Sequence, residues 1–162
     1  MSQLIQFVSP DTTVQLQPVI TALQEALGDN LIALVLFGSR ARGDAQPESD
    51  WDLLLIAEHL PARTFARHLY LKKSLPPSWC GQISLLAKTP AEFETVIPSL
   101  FLDIALDSII LCDQDNYAAN HLGYLKQLIQ NKGLYRHQQG KELTWHWQKF
   151  PGPDWQLAWE EN

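Results

Sequence analysis

The chain has 162 residues, 46% hydrophobic and 19% charged, which suffices for a single domain, 1–162, with a core of its own. Its net charge of −6 argues against direct nucleic-acid binding through phosphate contacts alone. No apolar run approaches membrane-span length and no secretory signal pattern opens the chain, so a cytoplasmic protein with no membrane association is expected. Its two cysteines, Cys80 and Cys112, lack metal-type spacing and read as reduced thiols.

In chain order, Ser9-Pro10 reads as an N-cap followed by proline at the first helical position. Val14, Ile20, Leu23 and Leu27 form an apolar stripe. Pro18 suggests that the main helix starts near Gln17, and Gly28 ends it. Leu31 to Phe37 is an uncharged apolar run, as expected of a strand buried on both faces. Gly38 permits a sharp turn there, and Ser39 adds a hydroxyl where backbone amides can face an anion. Arg40-Ala41-Arg42 reads as a short helical start, and Gly43, Asp44, Pro47 and Ser49 as loop.

Asp50 to Ala57 reads as a second strand. Residues two apart on a strand share a face, roughly 6.5–7 Å apart, so Asp50 and Asp52 point together and Trp51 points into packing. An isolated Asp-x-Asp is ordinarily a solvated strand end. After a Gly-Ser turn, the same pair can share a hard divalent cation whose shell phosphate oxygens complete.

A helix is expected from Leu60-Pro61 to about Lys73, with Phe65, Leu69 and Leu71 as its apolar positions. Arg63, Arg67, Lys72 and Lys73 would form a solvated basic face. Pro76-Pro77 breaks the chain, and Gln82 to Ala87 reads as a strand. Thr89-Pro90-Ala91-Glu92 is a capping box. Pro98 ends or restarts that helix, Ser99 to Asp107 forms another, and Ser108 to Cys112 a short strand. Asp103 and Asp107 share a helical face and are expected to face solvent. Asp113 caps a helix over 114–131 with Tyr117, Leu122, Leu125 and Leu128 inward. From about Gly133 a Trp-rich extension follows, with Trp145, Trp147, Trp155 and Trp159. Leu143, Trp145 and Trp147 alternate with polar residues as in a strand, although a helix over 141–150 fits nearly as well. The aromatics are expected to wrap the domain. His59, His68, His121, His137 and His146 show no zinc spacing.

Gly38-Ser39, Arg42-Gly43 and Ser49-Asp50-Trp51-Asp52-Leu53 together resemble the G-S-x-A-R-G…S-D-x-D-[LIV] signature of the polymerase β-like nucleotidyltransferases, and in particular the small bacterial minimal nucleotidyltransferases. The resemblance implies an α/β (α+β) fold, a mixed β-sheet flanked by helices. It also implies transfer of a nucleoside monophosphate, AMP from ATP, to a hydroxyl acceptor with Mg²⁺. Gly38, Ser39 and Arg42 would hold the nucleotide's phosphates, and Asp50 and Asp52 would be the catalytic, metal-binding pair. Such proteins often work beside a HEPN-type partner in toxin–antitoxin pairs, so the alternative is an antitoxin-like binding module with weakened catalysis. The resemblance falters at the family's third carboxylate. Its position falls on Ser84, and between Glu58 and Glu92 there is no Asp or Glu to replace it. A neutral hydroxyl is a poor Mg²⁺ ligand beside two carboxylates.

Overall fold

The computed structural model describes residues 10–159, so the Ser9 cap lies outside the described residues. The first helix, α1, spans Pro10–Leu27 and continues through Pro18 instead of starting near Gln17. Proline there removes the N–H that would meet the Val14 carbonyl. Val14 is 69% exposed, so water can satisfy that carbonyl and the helix survives. Leu16, Val19, Ile20, Leu23 and Leu27 form its buried face.

Four strands follow: β1 Leu31–Phe37, β2 Trp51–Ala57, β3 Ile83–Lys88 and β4 Ile109–Asp113. They form one mixed sheet in the order β3-β2-β1-β4. β1 is antiparallel to β2 and β4, while β2 and β3 run parallel. The two central strands are almost wholly apolar because helices cover both faces. Leu36, Leu53 and Leu55 pack with Leu16 and Leu23 of α1. On the other face Ala33, Val35, Leu54 and Ile56 pack with Phe101, Leu102 and Leu125.

The parallel crossover from β2 to β3 carries α3, Thr64–Ser74, preceded in the chain by a single turn, α2, Ser39–Arg42. α3 begins later than its sequence suggests. Leu60 is drawn into the core, and the Arg67 guanidinium takes the Pro61 carbonyl at 2.8 Å. Three further expectations fail on this helix. Phe65 is 73% exposed and Leu69 40%, so of the three expected apolar positions Leu71 is the one that enters the core. Arg67 is not simply solvated: it donates to the Ala87 carbonyl and to both Glu92 oxygens, at 2.7 and 2.8 Å, using the planar fork of its guanidinium.

Glu92 also closes the expected capping box on α4, Pro90–Phe93. Pro98 caps α5, Ser99–Asp107. α6 spans Tyr117–Lys132, starting after a 3₁₀ turn in which Asp115 and Asn116 have positive φ. Asp113 still caps it: its carboxylate accepts from the Ala118 and Ala119 amides at 2.7 and 2.9 Å.

The remaining chain forms a hairpin, β5 Leu134–Gln139 and β6 Glu142–Trp147, as a separate two-stranded sheet. The strand alternative for 143–147 is the one adopted, because β5 gives β6 a partner. The hairpin also corrects the solvent-facing placement of Asp103 and Asp107. Arg136 of β5 donates to Asp107 at 2.5 and 3.0 Å and to Asp103 at 3.2 Å, and Trp145 Nε1 donates to Asp103 at 3.0 Å. Asp107 is buried, with 8% exposure. An arginine fork and an indole N–H together satisfy the two acids, so burial is tolerated. Beyond the hairpin, Trp159 Nε1 donates to the Phe93 carbonyl and the Tyr124 hydroxyl to the Ala158 carbonyl, laying the tail against α4 and α6.

Candidate active site

The site is built where β1 ends. Gly38 has φ +73 and ψ −157, a backbone conformation that favours glycine. The β1–β2 register pairs Phe37 with Asp52, which brings the Asp52 carboxylate against Gly38. A Cβ on Gly38 would collide with that carboxylate. Glycine is therefore required twice over, by its dihedrals and by this close approach. The Gly38 carbonyl then accepts from the Ala41 and Arg42 amides, turning the chain into α2.

Gly38, Ser39, Arg42 and Asp52 line one open cleft of about 230 Å³. Asp44, Ser49 and Lys141 complete its wall. Asp50 stands one residue before β2, exposed, and does not line this cleft. Its charge nevertheless reaches Asp52. Burial, then repulsion from Asp50, push the Asp52 carboxyl above its ordinary value, while a hydrogen bond with Ser84 and the charge of Arg42 pull it down. Ser84 is the residue paired with Asp52 in the β2–β3 register.

Trp51 points the opposite way, into the core at 7% exposure, edge-on to Trp79. The two neighbouring arginines divide the work. Arg40 lies over the Trp51 ring at 4.6 Å and donates to the Ser49 and Pro47 carbonyls, pinning the loop. Arg42 instead lines the cleft, 3.3 Å from Asp44.

Chemically the arrangement combines a hydroxyl, a guanidinium and an ammonium for an anion with a half-buried carboxylate for a cation. Among the described residues no three His, Cys, Asp or Glu side chains form a metal-holding group. The donor set suits a cation that keeps phosphate oxygens or waters in its shell, as Mg²⁺ does. Cys80 and Cys112 are both free thiols.

Sequence reasoning missed Lys141, which lies 89 positions after Asp52 along the chain. The usable signal was Gly140-Lys141 between two polar strands, the Gly-x of a two-residue hairpin turn. It also missed Asp44, held by Gln138 Nε2 of β5 at 3.2 Å.

The family model described as "Polymerase beta, Nucleotidyltransferase" matches residues 19–89, which contain β1, the Gly38 turn, β2 and β3. A protein of Methanocaldococcus jannaschii named "putative protein adenylyltransferase" is 36% identical over 110 residues, covering 65% of this chain and 75% of that one. Among solved structures, a toxin–antitoxin crystal structure with AMP-PNP superposes with a TM-score of 0.53 at 16% identity, over 71% of this chain and 86% of the other. A complex of tri-AMPylated Shewanella oneidensis HEPN toxin with MNT antitoxin gives 0.50 at 14% identity, over 73% and 86%. At such identities these two likenesses speak to the fold. Among the described residues no helix is long and apolar enough to cross a membrane.

Proposed function

Because the chain belongs to the polymerase β family of nucleotidyltransferases, we propose that it transfers AMP from ATP to a hydroxyl group of a partner protein in the cytoplasm. The observation that carries this reading is the Asp52 carboxylate, half-buried against the Gly38–Ser39 turn in a cleft that also holds Arg42. The name of the archaeal relative supports adenylyl as the group and protein as the acceptor. The HEPN toxin AMPylated beside its MNT antitoxin supports a HEPN-type protein as the partner class.

In this reaction the acceptor hydroxyl gives up its proton to water as its oxygen bonds to the α-phosphorus, the bond from that phosphorus to the β-phosphate bridge oxygen breaks, and pyrophosphate leaves. The Gly38–Ser39 turn and Arg42 bind and orient the phosphates. Asp50 and Asp52 would hold one Mg²⁺, which when bound neutralises phosphate charge. The Ser84 hydroxyl donates to Asp52 and orients it. Ser84 takes the place of the family's third carboxylate, so the acceptor hydroxyl loses a negative group that would help withdraw its proton.

Ser84 opposite Asp52 favours a second reading, a nucleotide-binding, antitoxin-like module with weakened transfer. One experiment separates the two. The protein is incubated with α-³²P-ATP, Mg²⁺ and the proteins encoded beside it, and label on the partner is followed. Labelling that Asp52→Asn abolishes supports the enzyme. ATP binding without labelling supports the module, and absence of ATP binding overturns both.

A further inference from the structure

We propose that the β5–β6 hairpin is a wall of the nucleotide site and that Lys141 at its tip binds the β- and γ-phosphates, making the cleft selective for a triphosphate. This rests on the functional reading above and extends it to a residue outside the family-matched segment 19–89.

The charge balance of the cleft is the starting point. Asp44, Asp50 and Asp52 put three carboxylates at or near it, against one cleft-facing arginine, Arg42, which already contacts Asp44. Arg40 is turned away onto Trp51. A bound polyanion therefore needs further positive charge. Lys141 lines the same cleft and makes no ion pair among the described residues.

The hairpin is built to hold that ammonium in place. Gln139 pairs with Glu142, leaving Gly140 and Lys141 as a two-residue turn. Gly140 has φ +62 at the first central position, as a type II′ turn demands, so the turn has little backbone freedom. One end of the hairpin is clamped to α5 through Arg136, Asp103 and Asp107. Near its tip, Gln138 grips Asp44 of the loop between α2 and β2. The lysine is thus presented by a rigid element fixed at both ends, which lowers the entropy lost on binding phosphate.

The test is calorimetric titration of ATP, ADP and AMP, each with Mg²⁺, into wild type, Lys141→Ala, Lys141→Gln and Lys141→Arg. Charge-assisted contacts to phosphate predict that Lys141→Ala and Lys141→Gln weaken ATP about tenfold, and that Lys141→Arg restores most of it. AMP has no β- or γ-phosphate, so its affinity should stay within about twofold of wild type, and ADP should fall between. Unchanged tryptophan emission verifies that the hairpin remains packed. Arg136→Ala, which frees the hairpin, should reproduce the ATP-selective loss. Equal ATP affinity in Lys141→Ala and wild type would overturn this inference while leaving the functional reading intact. An equal loss for AMP would overturn the assignment to the triphosphate tail. A wild type that binds no ATP would overturn both.

Discussion

At the residue scale, the contact between Gly38 and Asp52 is the tightest constraint in the site. Gly38→Ala combines a disfavoured positive φ with a collision against a half-buried carboxylate. It should cost about 1–3 kcal/mol of stability and most of the nucleotide affinity. The double variant Gly38→Ala/Asp52→Gly should recover part of the stability, because the collision is gone and only the dihedral strain remains. Thermal melts of Gly38→Ala and the double variant against wild type decide this, and an unperturbed Gly38→Ala would show that the turn can relax. Asp52→Asn should behave differently. Burial and Asp50 both disfavour the Asp52 charge, so its removal should leave the fold at least as stable while weakening Mg²⁺-dependent ATP binding. Ser84→Asp places a third carboxylate in register with Asp52. It should raise the rate of label transfer at saturating Mg²⁺ and lower stability in its absence, because three like charges would crowd one site. A slower Ser84→Asp enzyme would mean that Ser84 is the functional residue and not a loss.

At the element scale, two arginines join parts of the chain that local sequence cannot relate. Arg67 of α3 holds both oxygens of Glu92, the capping-box residue of α4, and keeps its carboxyl depressed, to about 2 from an ordinary 4.5. The folded value lies below the unfolded one, so this contribution is whole above about pH 4.5 and is lost as pH falls toward about 2. Glu92 is 41% exposed, so solvent screening limits the pair to about 1 kcal/mol or less. Glu92→Gln should flatten this part of the acid limb of stability against pH, and urea melts between pH 2 and 5 would measure it. Arg136 is the more consequential clamp, because Asp107 is buried. Arg136→Ala would strand that acid without its cation and should cost about 3 kcal/mol, whereas Asp107→Asn keeps an acceptor oxygen for the guanidinium and should cost less. Equal losses would argue that shape, not charge, holds the hairpin.

At the scale of the whole molecule, the helices that cover the sheet's two faces leave the ends of β1 and β2 open, and the site lies there. The tail adds a latch on one side: Trp159 packs against Phe93 at 5.4 Å and stacks on Tyr124 at 5.5 Å between centroids. These contacts, and the Tyr124 bond to Ala158, are away from the residues lining the cleft. Removal of residues from 151 onward should therefore lower the melting temperature by several degrees, consistent with loss of buried aromatic area. ATP affinity should be unchanged, and a fall in affinity would place the tail in the nucleotide site. The net charge of −6 adds an ionic-strength effect. If screening relieves repulsion between this acidic chain and the polyanion, moderate salt should weaken ATP binding less than contacts to Arg42 and Lys141 alone would require.

By itself the sequence determined what local pattern can encode. The apolar runs gave β1 and β2 their length, the Thr89-Pro90-Ala91-Glu92 cap gave α4 its start, and Gly38-Ser39 marked the turn that Asp52 meets, whereas Asp50, expected beside Asp52, stays outside the cleft. Each of these depends on residues a few positions apart, where spacing and side-chain chemistry are sufficient. Tertiary structure decided the rest. Pro18 remains inside α1 because the neighbouring backbone faces water. Phe65 stays outside while Leu71 of the same helix enters the core. Asp103 and Asp107 are drawn inward by an arginine 29 positions beyond Asp107, and Lys141 reaches the cleft from a hairpin 89 positions after Asp52. Those outcomes depend on which distant groups meet. Burial becomes tolerable only when a partner satisfies the charge, and no window of neighbouring residues contains that partner.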